Sequence, residues 1–163
     1  MVTMHPTLPE FEIEEVEWQN DKFIVVAKAI AEGNACPKCG VVSHAVHSWY
    51  ERQPADLPSV GRLVSLQLKV RRFFCRNGAC SGKIFCERVP EVVSWYSRRT
   101  DRQAQSLTEL GYESGGKAGS RLAMKQGMPA SRDTVLRLVR RAAEIEQPVP
   151  EVIGVDDWAF CKG

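Results

Sequence analysis

Two pairs of cysteines are the strongest chemical signal in this sequence of 163 residues. Cys36 and Cys39 lie two residues apart in Cys-Pro-Lys-Cys-Gly, and four residues, including an Asn-Gly pair, separate Cys75 from Cys80. Thiolates at such spacings can face one ion, and four of them form a closed tetrahedral site with no open position for catalysis. The pattern therefore predicts a structural Zn²⁺ bound by Cys36, Cys39, Cys75 and Cys80.

Other assignments of the sulfur atoms stay open at this point. Cys86, His44 and His47 are alternative ligands, and Cys161 is expected to be a free thiol. Unrelated buried thiols and disulfides are the competing interpretations. The first residues lack the apolar core of a signal peptide, so we expect a reducing cytoplasm in which metal binding is favoured over disulfides. The longest aliphatic run, Phe23–Ala27, is far shorter than the roughly 20 residues of a membrane span, so no membrane partner is expected.

Basic residues are concentrated in the middle of the chain. Residues 62–141 contain 17 Lys and Arg against 6 Asp and Glu, a net charge of +11, whereas the whole chain has a net charge of +2. A basic centre between acidic ends indicates either a polyanion-binding surface, with nucleic acid as the expected partner, or an ordinary solvated face.

The sequence predicts an α+β protein. Alternation predicts a β-hairpin over residues 11–31, with a bulge at Glu14-Glu15, and a strand in which Val64, Leu66, Leu68 and Val70 are buried. The predicted units are an N-terminal β-hairpin (1–33), a β-rich four-cysteine zinc-finger domain (34–90), a three-helix helix-turn-helix domain (95–147) and the start of a catalytic domain (151–163).

Three short helices are expected after residue 98. Thr100 and Ser131 are suitable N-caps of the first and third helices, and Gly111 and Gly115-Gly116 are expected to separate the first helix from the second. The third helix, roughly 132–146, is amphipathic with a cationic outer side, which is the outline of a DNA-recognition helix. The candidate DNA-binding residues are Arg71, Arg72, Ser131, Arg132, Thr134, Arg137, Arg140 and Arg141.

Aromatic residues are interleaved with the basic ones near the cysteines. Phe73, Phe74, Trp95 and Tyr96 are either core residues or surfaces on which unpaired bases stack. Near the C-terminus, Val152–Val155 is expected to be a buried strand that ends in Asp156 and Asp157. Carboxylates at such a position hold Mg²⁺ in many nucleotidyl-transfer enzymes, although a strand-end aspartate is more often a cap.

Several short motifs follow one another in a fixed order. They are Cys36–Gly40, Asp56–Pro58 with Gly61, Arg71–Cys75 with Cys80, Phe85–Glu87, Tyr96–Thr100, Gly115–Gly116, Ser131–Arg137 and Gly154–Gly163. As a set, from about residue 11 onward, they resemble the N-terminal part of bacterial insertion-sequence transposases of the ISL-three family. The resemblance implies a zinc finger and a helix-turn-helix that bind double-stranded DNA at the terminal inverted repeats of the element.

The resemblance also implies a ribonuclease-H-like catalytic domain with an Asp-Asp-Glu metal triad, of which Asp156 would be the first member. Mg²⁺ is implied only for the complete family enzyme. Because the sequence stops at Gly163, just after the first strand expected for that domain, we expect this chain not to catalyse strand cleavage by itself. The alternatives are a zinc-ribbon regulator or protein-interaction module, and an inhibitor of an intact transposase that competes with it for the ends of the element. The candidate protein partners are a second copy of the chain, which would form a homo-oligomer, and an intact transposase.

Overall fold

The computed structural model describes residues 8–142, which form eight strands and two helices. The strands are β1 (Phe11–Gln19), β2 (Lys22–Ala29), β3 (Asn34–Ala35), β4 (Val42–Ser43), β5 (Val46–Arg52), β6 (Ala55–Ser59), β7 (Arg62–Phe74) and β8 (Ile84–Cys86). The helices are α1 (Asp101–Lys125) and α2 (Arg132–Ala142). The mixed α+β class with a β-rich cysteine region agrees with the sequence prediction.

Strand β7 is the centre of the six-stranded main sheet, which has the order β1-β2-β7-β5. One edge of β7 pairs in parallel with β2 and then antiparallel with β8, and the opposite edge pairs with β6 and then β5. The sheet therefore joins the predicted hairpin unit, residues 1–33, to the strand of the predicted zinc-finger domain. The domain boundaries themselves stay a prediction.

The β1–β2 hairpin has the features expected from its sequence. Asn20 and Asp21 both have positive φ angles, of 47° and 65°, which is the geometry of a tight two-residue hairpin turn. The pairing register shifts between Ile13 and Glu15, which confirms the predicted bulge. The bulge keeps the apolar side chains of both halves of β1 on one face of the sheet, since Ile13 lies opposite Ala27 and Val16 lies opposite Val25.

Strand β7 buries different faces in its two halves. Val64, Leu66, Leu68 and Val70 are buried, as predicted, in the main core with residues of β2 and of the segment 89–93. Beyond Val70 the burial moves to the other face, where Phe73 is fully buried. Phe73 packs there in a second cluster with Cys36, Cys80 and Phe85. One strand thus supports both the main core and the cysteine region.

The prediction of three helices is not supported, because the described residues contain two. Gly111 does not break α1. Gly115 adopts φ 69° and ψ 171°, which are not helical angles, so α1 consists of two helical segments that meet at the predicted Gly115-Gly116 pair. These angles are accessible to glycine without a steric penalty.

Two glycines of α1 lie at the contact with α2. A Cβ atom built on Gly111 would lie 2.6 Å from Cγ2 of Val139 and 2.7 Å from Cγ1 of Val135, and one on Gly116 would lie 2.6 Å from Cγ of Leu136. The absence of side chains at these positions therefore permits the close approach of the two helices. The predicted break at Gly111 is therefore wrong, whereas the break predicted at the Gly115-Gly116 pair occurs at Gly115, and Gly116 in addition contacts α2.

Asp56 joins the sheet to the start of α1. Its buried carboxylate accepts hydrogen bonds from Oγ1 of Thr100 (2.7 Å) and Nε of Arg102 (2.7 Å), and its carbonyl accepts one from the side chain of Gln103 (2.6 Å). Burial acts to raise the pKa of Asp56, but the hydrogen bonds from Arg102 and Thr100 outweigh it and lower that pKa. Thr100 also caps α1, as predicted, by accepting from the backbone N–H of Gln103.

Neither helix in residues 8–142 has the length and apolar character needed to cross a bilayer.

A larger side chain at Gly111 tests the close approach of the helices. Gly111→Val places methyl groups against Val135, which is fully buried, and Val139, so we expect a destabilisation of about 1–3 kcal/mol. Urea unfolding measures it. Gly78→Ala is the control, because nothing lies within 4 Å of its added Cβ. Equal stability of the two variants would show that α1 and α2 do not meet at Gly111.

Candidate zinc centre and nucleic-acid interface

The four predicted cysteines converge on one point. The Sγ atoms of Cys36, Cys39, Cys75 and Cys80 all lie within 4.8 Å of one another. The Sγ–Sγ distance is 4.0 Å for Cys36 and Cys80 and 3.7 Å for Cys39 and Cys75. A tetrahedral site with Zn–S bonds of about 2.3 Å has S–S edges of about 3.8 Å, so the arrangement fits a zinc ion.

Two short loops aim these thiols at each other. The first, which we call the knuckle, is the β3–β4 hairpin with its turn, residues 34–43. In it the N–H of Gly40 donates to the carbonyl of Cys36 (2.8 Å), and Gly40 has a φ of 74°. In the second loop, the N–H of Cys80 donates to the carbonyl of Asn77 (3.1 Å). The turn at Asn77 compensates for the longer spacing of the second pair.

The electrostatics of the cluster favour a cation. A hydrogen bond from the backbone of Val41 lowers the pKa of Cys39 to about 7. At Cys75 the backbone of Asn77 acts to lower the pKa, but burial and the neighbouring thiols outweigh it and raise the pKa to about 12. The second value reflects the cost of crowding thiolates together, which a divalent cation removes.

The alternative ligands lie outside this cluster. His44 and His47 are exposed, and their Nδ1 atoms contact the carbonyl of Glu32 (3.3 Å) and Oγ of Ser48 (2.8 Å). Cys86 is partly buried and is not a member of the group of potential metal ligands in residues 8–142. The geometry therefore favours the four predicted cysteines over these alternatives.

Helix α2 presents a row of polar side chains to solvent. Oγ of Ser131 accepts from the N–H of Thr134 (3.2 Å), so Ser131 caps the helix as predicted. Arg137 follows one turn later, with Nη2 at 3.5 Å from Oγ1 of Thr134. We call Ser131, Thr134 and Arg137 the α2 row. Val135 is buried, and Leu138 packs against the same helical core.

The other predicted basic residues of α2 are also exposed. Arg132 forms an ion pair with Asp133, with Nε and Oδ1 3.2 Å apart, but both side chains are mostly in solvent. Arg140 and Arg141 are exposed in the last turn. None of Arg137, Arg140 and Arg141 has an ion pair with a residue of the described part of the chain.

Arg99 is a cation near the α2 row that the candidate set did not include. Burial lowers the pKa of its guanidinium, and the positive charge of Arg137 lowers it further. Its Nη1 atom is buried and has no hydrogen-bond partner among residues 8–142. Arg99 therefore adds positive charge near the α2 row.

Arg71 does not belong to the exposed surface. Its guanidinium is buried and paired with Glu87, with Nε 3.1 Å from Oε2, and it donates to the carbonyl of Ala31 (2.6 Å). The assignment of Arg71 to DNA contacts is therefore corrected: it holds β7 to β8 and to the loop before the knuckle. Arg72 next to it is exposed, and its guanidinium lies over the ring of Tyr50.

Asp156 and Asp157, with the strand predicted before them, lie outside the described residues, as does Cys161. The catalytic role of Asp156 stays a prediction.

A known protein family matches the part of the chain that contains the four clustered cysteines. The family described as "zinc-finger of transposase IS204/IS1001/IS1096/IS1165" matches residues 32–80, which contain all four clustered cysteines. The resemblance to insertion-sequence transposases is confirmed. The match and the cysteine geometry together support a structural zinc ion.

A similar full-length protein agrees with this match. The chain is 29% identical over 160 residues to the "Transposase for insertion sequence element IS1001" of Bordetella parapertussis. The alignment covers 93% of this chain and 37% of that transposase, so the chain spans little more than a third of this relative. No solved structure matches the chain.

Zinc content tests the ligand assignment. Elemental analysis of the purified chain is expected to give one zinc per molecule, and Cys75→Ala is expected to abolish stable binding because a structural site needs all four ligands. Cys86→Ala is the matched control and is expected to keep the zinc. Unchanged stoichiometry in Cys75→Ala would refute the assignment.

The adjacent arginines Arg71 and Arg72 give a test of the corrected assignment. Arg71→Ala leaves the carboxylate of Glu87 buried without its partner, which costs about 3–5 kcal/mol. Arg72→Ala removes an exposed side chain, so its unfolding free energy is expected to change by less than about 1 kcal/mol. Chemical unfolding of both variants measures the difference. Similar stability losses would contradict the burial of Arg71.

Proposed function

We propose that this chain is the DNA-binding N-terminal portion of an insertion-sequence transposase, and that it recognises the terminal inverted repeats of its element for transposition. The similarity to a named transposase supplies the class of substrate. The zinc-finger match supplies one binding module, and the exposed α2 surface supplies a second.

The observation that carries the proposal is the cationic side of α2, where Arg137, Arg140 and Arg141 are exposed and have no ion pair with a residue of the described part of the chain. Arg99 adds a cation near this side, since the positive charge of Arg137 acts to lower its pKa. A DNA phosphate beside Arg137 would neutralise one of these positive charges. We therefore assign Arg137 to one phosphate, a backbone contact that fixes the position of α2 on DNA, with Arg99 adding to the positive potential beside it.

Because Arg137 is assigned to a phosphate, the residues at the start of α2 are the ones that we propose to contact the DNA bases. A recognition helix in the major groove contacts base edges through its first turns. Ser131, Arg132 and Thr134 occupy the first turn and are at least partly exposed. Arg140 and Arg141, in the last turn, are assigned to the DNA backbone, with exposed Arg72 as a further backbone contact near the zinc centre.

Phosphate contacts predict the effect of removing Arg137. With the zinc-loaded chain and a duplex of the inverted repeat, Arg137→Ala is expected to reduce the slope of log affinity against log salt by about 0.9, the value for one phosphate contact. The loss should be similar for a shuffled duplex, because a phosphate contact carries no sequence information. Fluorescence anisotropy at several salt concentrations measures both.

Lys69→Ala is the matched control for this measurement. Nζ of Lys69 lies 2.7 Å from Oε2 of Glu14, so this cation is already neutralised and its removal is expected to leave the slope unchanged. An equal, salt-independent affinity of the original chain for inverted-repeat and shuffled DNA would refute the proposed function.

A further inference from the structure

A cavity beside the knuckle has a chemistry that the zinc centre and the α2 row do not use. It has a volume of about 530 Å³, within the range of small-molecule sites. Its polar wall contains three cations, Lys38, Arg72 and Arg88, and no carboxylate. Its apolar wall contains Phe85 and Trp95. A second cavity of about 560 Å³ shares Cys86, Arg88 and Trp95 with the first, and we call the two together the groove. The second cavity also contains Tyr96 and three carboxylates, Glu87, Glu91 and Asp101.

Two hydrogen bonds fix the backbone of Arg88 on one side of the groove. The side chain of Asn34, in the knuckle, donates from Nδ2 to the carbonyl of Arg88 (3.0 Å) and accepts through Oδ1 from the N–H of Arg88 (3.2 Å). This double hydrogen bond ties the segment after β8 to the zinc site. Of the three carboxylates in the second cavity, Glu87 is paired with Arg71, and Asp101 accepts a hydrogen bond from Oγ of Ser94 (2.7 Å). The anion is therefore expected on the cationic wall of the first cavity, which has no carboxylate.

Aromatic rings form an exposed rim on this groove. The rings of Trp95 and Tyr96 are stacked, with centroids 5.2 Å apart and planes at 15°. Trp95 is 52% exposed and Tyr96 is 86% exposed. Tyr96 has a φ of 57°, a left-handed conformation that is strained for a bulky residue and is typical of functional positions.

Arg88 connects the aromatic rim to the cationic wall. Its Cζ atom lies 3.0 Å from the ring centroid of Trp95. Its Nε atom is buried and has no hydrogen-bond partner in residues 8–142. An anionic ligand with a flat ring could pair with the guanidinium of Arg88 through its charge and stack its ring on the exposed rings of Trp95 and Tyr96.

We propose that this groove binds a single unpaired nucleotide, whose base stacks on the Trp95–Tyr96 rim and whose phosphate lies at Arg88 and Arg72. This inference rests on the proposed function, which makes nucleic acid the class of ligand. A nucleic acid has both the negative charge and the flat rings that the groove could bind. The absence of a carboxylate on the cavity's cationic side matches the charge of a nucleotide. Stacking on aromatic side chains favours unpaired bases, since paired bases keep their faces covered in the duplex.

The test uses the full zinc-loaded chain and a single-stranded pentanucleotide of thymidines with 2-aminopurine at its centre. Stacking on Trp95 or Tyr96 is expected to quench the fluorescence of 2-aminopurine. Trp95→Ala is expected to weaken binding by roughly tenfold, the effect of losing one base–aromatic stack, and to remove most of the quenching. Trp18→Ala is the matched control, because Trp18 is equally exposed, at 52%, in the β1–β2 hairpin.

The outcomes separate this inference from the proposed function. Quenching that Trp95→Ala removes and Trp18→Ala retains supports the site, and partial recovery in Trp95→Phe supports stacking as its cause. No quenching, or equal quenching in both alanine variants, overturns the site. Fully paired inverted-repeat DNA, whose binding depends on α2, tests the proposed function separately: Trp95→Ala is expected to leave that affinity unchanged.

Discussion

Strand β7 pairs through its backbone with four other strands at once, and the rest of the structure depends on this pairing. Two strands pair with each of its edges, so its 13 residues need continuous backbone hydrogen bonding without a proline. Its side chains must also cover two separate cores. The change of buried face after Val70 meets the second requirement, because it gives the main core one half of the strand and the zinc centre the other.

The two ends of this strand position the two proposed binding surfaces. The C-terminal end leads directly into Cys75, so the zinc site is fixed relative to the sheet. At the other end β7 pairs with β6, whose Asp56 binds the first residues of α1 through Thr100 and Arg102. The helices that carry the α2 row are therefore attached to the same strand as the metal site.

Local patterns in the sequence were sufficient for some of these features. The alternation of Val64 to Val70 predicted the strand, and the spacing of the cysteines predicted all four members of the cluster, because both signals depend on residues that are close in the chain or chemically distinctive. Arg71 was misassigned because simple alternation places it in solvent, and only the partner Glu87, just after β8, reveals its burial. Gly111 was misassigned because composition does not distinguish a helix break from a close helix contact. Arg99 gave no signal of its own, since its burial and the effect of the charge of Arg137 depend on the fold.

The central claim is that the α2 row and the surface near the zinc centre both bind DNA. Hydrogen–deuterium exchange of the zinc-loaded chain, with and without a duplex of the terminal inverted repeat, tests it most directly. The account predicts slower exchange in α2 and around Arg99 and Arg72 when the duplex is added, with no change in the β1–β2 hairpin. Protection confined to the hairpin, with α2 unaffected at saturating DNA, would contradict it.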